Sequence, residues 1–145
     1  GGAVSVDRQI RLREMKRHIG KLYYWSNETV RYDAEALDAI RDAGLQVDMV
    51  VTHTAPSICE FKSKQGLATW AQYDATLLDD CDAERSAMDK ILVHLKHDRH
   101  PLERWYYGHF HNSWHSEIDG VWFKMLDVTE LLEVPRINNE KLSER

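Results

Sequence analysis

The apolar positions of the chain change rhythm several times, and each change predicts an element. Between Asp33, a residue type suited to capping a helix start, and Gly44, suited to the position just past a helix end, Leu37, Ile40 and Ala43 keep helical spacing. That spacing predicts an amphipathic helix over 34–43. In the next run, "LQVDMVV" at 45–51, Val47, Met49, Val50 and Val51 do not alternate cleanly with polar residues, which predicts a strand buried on most of both faces and ending at Thr52-His53. Pro56 then forces irregular chain, and the mixed polar residues of 57–66 predict a loop. Leu67, Trp70, Leu77 and Leu78 predict a short helix over 67–78. Met88, Ile91, Leu92 and Leu95 fall at i, i+3, i+4 and i+7, one stripe of a longer helix that Asp82 can cap and Pro101 leaves behind.

Toward the end the pattern turns to β. "ERWYYG" at 103–108 is aromatic enough for a strand, and "SWHSEI" and "VWFKML" are joined by Asp119-Gly120, the two-residue signature of a type I′ hairpin. At the other end, Ala3, Val4 and Val6 in "GGAVSVD" form a strand-like run with no initiator Met before it. Residues 136–145 are polar and predict a frayed tail. Helices interleaved with strands and a final hairpin make an α/β chain with a mixed sheet, and no repeat or linker divides it.

Composition narrows the function classes. A chain of 145 residues with 43% hydrophobic residues, five Trp and six Tyr is able to bury a core. No apolar run approaches the roughly 20 residues of a membrane span. Two cysteines, Cys59 and Cys81, without metal-type spacing, and an opening unlike a secretory signal, point to a cytoplasmic protein. A net charge of -5 argues against a general nucleic-acid or membrane surface. The exception is local: residues 7–21 hold six Arg and Lys against two acids, read as a solvated basic face or, alternatively, an anion-binding patch.

Candidate chemistry centres on three of the eight histidines. His53 follows the buried strand, and His109 and His111 follow the aromatic strand by way of Gly108. Strand-to-loop transitions are where α/β proteins place chemistry, because the strand fixes the Cα and the loop leaves the ring accessible. In extended chain, residues two apart project to one side, so His109 and His111 can aim nitrogens into one volume. Neutral imidazole suits zinc and its first-row neighbours. Cys59 is a conceivable fourth ligand, with a free half-buried thiol as the alternative. His94, His97 and His100 read as surface residues at a helix end.

In order and interval, "GGAVSVD" at 1–7, "VDMVVTHTAP" at 47–56 and "WYYGHFH" at 105–111 resemble the calcineurin-like metallophosphoesterases across roughly residues 1–132. The resemblance is to the second half of that domain and implies a fold of its β-sandwich type flanked by helices. It makes residues 1–135 a partial domain and 136–145 a tail. It further implies that His53 and His109 bind one metal and His111 the other of a two-metal centre of Mn, Fe, Zn or similar ions, activating a hydroxide against a phosphate ester. The family's earlier motifs, an Asp-x-His, a Gly-Asp-x-x-Asp and a Gly-Asn-His-Asp or -Glu, do not occur. With them go the bridging Asp and the general acid, so the catalytic residues are not in this chain.

Three imidazoles alone do not balance two divalent ions, so at most one metal is expected on this chain by itself. The expectation is a C-terminal fragment of a phosphoesterase, inactive alone. Two alternatives remain: a catalytically silent module that self-associates or pairs with an N-terminal half through an open sheet edge, and a mononuclear tris-His zinc hydrolase.

Overall fold

A computed structural model describes residues 2–18, 21, 24–25, 27–59 and 67–134. They form a mixed α/β structure with four α-helices, one 3-10 turn and one four-stranded sheet. Helix α1 spans Arg8–Arg17 and α2 spans Ala34–Asp42. Strand β1 (Met49–Val51) leads through a 3-10 turn at Ser57–Cys59 to α3 (Leu67–Ala71) and the long α4 (Leu77–His97). Strands β2 (Arg104–Tyr107), β3 (Trp114–Ile118) and β4 (Val121–Met125) follow.

The sheet order is β1-β2-β4-β3. β1 and β2 run parallel with Val50 opposite Trp105, and β2 and β4 run parallel with Trp105 opposite Phe123. β3 and β4 form the antiparallel hairpin, Ile118 opposite Val121. Its turn residues Asp119 and Gly120 both have positive φ, 50° and 77°, as a type I′ turn demands.

The core lies between α4 and one face of this sheet. Met88, Leu92 and Leu95 of α4 cluster with Trp105, Tyr107, Val121, Phe123 and Met125. Trp105 and Tyr107 share one side of β2 because side chains alternate along a strand. On the other side Tyr106 is also buried, edge-on to Trp122 at 5.8 Å.

The second helix ends as its sequence foretells. Asp33 Oδ1 accepts from the Ala36 N–H at 3.0 Å. At the far end Gly44 takes φ 68°, its N–H donating to Arg41 O at 2.8 Å while the Leu45 N–H donates to Ile40 O at 3.1 Å, the paired bonds of a Schellman motif.

Four expectations need correction. The strand-like run Ala3–Val6 is not a strand: the Val4 N–H donates to the Glu84 carboxylate at 2.6 Å, so a side chain takes the place of a neighbouring strand. Strand β1 is not buried on both faces: Met49 and Val50 are half-buried and Val51 is exposed. Residues 67–78 are not one helix, because Asp74 accepts from the Thr76 N–H at 3.3 Å and breaks the chain between α3 and α4. α4 therefore starts at Leu77, and Asp82 lies inside it rather than capping it. The predicted loop contains the 3-10 turn, while residues 60–66 and the tail at 136–145 lie outside the described residues.

Candidate metal centre

Because β1 and β2 are parallel, both finish at the same edge of the sheet, and their ladder continues past the strands. The Thr52 N–H donates to Tyr106 O at 3.0 Å, and the Gly108 N–H donates to His53 O at 3.2 Å. Thr52 is tied further by Trp105, whose Nε1–H donates to its hydroxyl at 2.8 Å. The two residues next in line, His53 and His109, are thus brought together from positions 56 apart in the chain. His53 Nε2 and His109 Nδ1 lie 3.2 Å apart and share a hydrogen bond whose donor depends on the tautomer, with ring centroids at 4.9 Å and planes crossing at 66°.

That separation suits two ligands of one ion. Bonds of about 2.0–2.1 Å to nitrogen place neighbouring ligand atoms roughly 3.0–3.4 Å apart, from octahedral to tetrahedral angles. The ring of His109 also stays neutral at physiological pH. Burial first, then the neighbouring His53, Arg85 and His111, lower its pKa to about 4. A neutral imidazole offers a lone pair to a metal without first losing a proton.

The loop carrying these rings is strained in a way the sequence did not disclose. His109 and His111 both occupy left-handed backbone, φ 72° and 51°. Gly108 does not; a Cβ there would meet Leu126 O only at 3.8 Å, an ordinary contact. The histidines themselves therefore turn the chain, each at a cost of order 1 kcal/mol, and non-glycine residues in such conformations cluster at functional sites. Being left-handed also removes the extended geometry from which a shared side for His109 and His111 was expected.

Arg85 of α4 braces the loop. Its guanidinium lies 4.7 Å from the Phe110 ring centroid and donates to Ala55 O at 2.6 Å. Phe110 in turn packs edge-on against His109 at 4.9 Å and Tyr107 at 6.4 Å. No motif pointed to Arg85; its signal was only one cation among the charged residues of an amphipathic helix, indistinguishable in sequence from a solvated one.

His111 and His53 are exposed. Among the described residues, the one set of three His, Cys, Asp or Glu side chains whose ligand atoms all lie within 4.8 Å of one another is Asp38, His94 and Asp98. The His53–His109 pair is thus joined in such a set neither by His111 nor by a carboxylate. The donor set present fits one ion through two imidazoles; it does not supply the anionic oxygens that a two-metal centre requires. Cys59 is no ligand candidate: it is buried and faces the Tyr107 hydroxyl, and burial pushes its thiol up to about 12.

Of the three histidines read as surface residues at the helix end, only His97 is as exposed as expected. His94 and His100 are built into the structure, His94 bonded through Nδ1 to the Tyr32 hydroxyl at 2.8 Å and His100 Nδ1 accepting from the Val47 N–H at 3.3 Å. Arg8 forms an ion pair with Asp74 and Asp80 and is sequestered there, only 11% of its side chain being exposed.

Compared with known protein families and with curated proteins, the chain finds no match. Among the described residues, no helix is long and apolar enough to cross a membrane.

Proposed function

We propose that His53, His109 and His111 are the imidazole share of a metal centre that hydrolyses phosphate esters, in a domain of the calcineurin-like sandwich type whose carboxylate ligands come from another stretch of polypeptide. The observation that carries the reading is the 3.2 Å approach of His53 Nε2 and His109 Nδ1 at the joint carboxyl ends of two parallel strands. The carboxyl edge of a parallel sheet is where α/β folds collect ligands.

His53 and His109 would hold one ion, and His111, two residues further on and exposed, would serve a second. The bound ions supply an activated hydroxide and offset the charge on the phosphate oxygens. What this chain contributes is placement: strand ends fix His53, Arg85 and Phe110 brace the His109 ring, and burial keeps that ring neutral. Because no carboxylate joins the His53–His109 pair among the described residues, the chain alone is expected to be no hydrolase.

Two measurements test this together. With Mn²⁺ present, the wild-type chain should bind inorganic phosphate, and the His53→Ala/His109→Ala variant should bind it at least about ten-fold more weakly. Hydrolysis of p-nitrophenyl phosphate by the wild-type chain should be no faster than by His109→Ala. Phosphate binding that ignores both histidines would contradict the metal centre. Brisk wild-type turnover lost in His109→Ala would instead contradict the need for outside carboxylates and favour the mononuclear zinc hydrolase.

A further inference from the structure

A second cluster lies at the opposite end of β2 from His109, where α4 hands over to that strand. His94 and Asp98 sit one turn apart at the end of α4, and Asp38 reaches them from α2. His94 Nε2 lies 3.2 Å from Asp98 Oδ2 and 3.4 Å from Asp38 Oδ1, and all three atoms fall within 4.8 Å of one another. Neither oxygen is placed as a hydrogen-bond acceptor for the ring: Nε2 is buried and has no hydrogen-bond partner. Two carboxylate oxygens beside a buried ring nitrogen, close to it but not bonded to it, leave one place where a cation would satisfy all three.

The distances match that reading. A tetrahedral zinc ion with bonds of about 2.0–2.1 Å separates its ligand atoms by roughly 3.3 Å. The remaining ring nitrogen is also provided for: His94 Nδ1 lies 2.8 Å from the Tyr32 hydroxyl. With Nδ1–H donating to that oxygen, Nε2 presents its lone pair to the two carboxylates, the outer-shell arrangement that metal-bound histidines use to fix their tautomer.

Charge agrees. Arg41 Nη1 donates to Asp38 Oδ1 at 2.7 Å and to Asp98 Oδ2 at 3.2 Å, using one lone pair of each oxygen, while its Nε donates to Asp42 Oδ1 at 2.9 Å, so one cation is shared among three carboxylates. Asp98 Oδ1 is held by His97 Nδ1 at 3.1 Å. One lone pair on each facing oxygen and one on His94 remain, and the negative charge of Asp38 and Asp98, only partly offset by the shared Arg41, is left for a divalent ion to meet. Asp98 has only 3% of its side chain exposed, so its charge is costly to leave without a close partner.

We propose that Asp38, His94 and Asp98 form a zinc site that clamps α2 to the end of α4, with an open fourth position and with Tyr32 as its outer-shell support. It uses none of the residues of the proposed phosphoesterase centre.

Zinc titration by calorimetry of the full chain carrying His53→Ala, His109→Ala and His111→Ala isolates this site. One zinc per chain is expected, and adding Asp38→Asn should weaken it by about ten-fold or more. Asp38 is 42% exposed in its side chain, so that change spares the core. No zinc uptake by the triple variant, or unchanged affinity with Asp38→Asn, would overturn the proposal. A second readout needs no substitution: in the ¹⁵N-labelled wild-type chain, zinc should shift the His94 Nε2 resonance, and a His94 ring untouched at saturating zinc would overturn it equally.

Discussion

Arg8 reaches from the first turn of α1 to Asp74, ahead of α4, and to Asp80 on its first turn, and Thr76 Oγ1 accepts from its Nη2 at 2.8 Å. The hydrogen bond from Arg8 holds the Asp74 carboxyl down at about 2. A carboxylate whose folded pKa is depressed stabilises the fold above its ordinary pKa near about 4, and the contribution is lost as pH falls toward about 2. Asp74→Asn should therefore cost about 2 kcal/mol at pH 7, less than a wholly unpaired buried charge because Asp80 still meets Arg8. Thermal melts from pH 7 to 2 should show a shallower acid limb in this variant than in the wild type; equal limbs would place the charge-dependent stability elsewhere. In sequence Arg8 looked like one cation of a basic run. Nothing local distinguishes it, since its partners lie 66 and more residues away, and long-range ion pairs leave no periodic trace. The positive φ of His109 and His111 was hidden for a related reason: glycine advertises left-handed backbone, and Gly108 drew attention from the residues that adopt it.

At the scale of elements, legibility followed periodicity and caps. The stripe Met88, Ile91, Leu92 and Leu95 marked the face of α4 that meets the sheet, and Met88→Ala should destabilise the chain by about 3 kcal/mol in urea unfolding, because Met88 is fully buried. A loss under about 1 kcal/mol would mean the helix packs less tightly on Trp105 and Phe123 than the fold requires. The Asp119-Gly120 turn and the Asp33 and Gly44 helix ends were equally plain, since each is a local demand on one or two residues. Where capping residues compete, the pattern misleads: Thr76 and Asp82 both suit a helix start, and the break forced by Asp74 chose the earlier one. The N-terminal Val4 run misled because hydrophobic alternation records burial, not the partner that satisfies the backbone, here Glu84. Burial holds the Glu84 carboxyl above its ordinary pKa.

For the whole molecule, the mixed α/β sheet and its final hairpin were readable, and so was the position of His53 and His109 just past the ends of two strands. What was not readable was depth: which of several histidines lie buried, and against what. His94 passed for a surface residue at a helix end until Tyr32 and Asp38 were folded against it. Among the described residues β1 is an edge strand, and its Val51 is 72% exposed. The central claim concerns the His53–His109 pair, and a metal titration of the ¹⁵N-labelled wild-type chain, followed through its imidazole resonances, meets it most directly. The expected result is that His53 Nε2 and His109 Nδ1 shift together as zinc is added. A titration that moves neither ring while the metal binds elsewhere would contradict it.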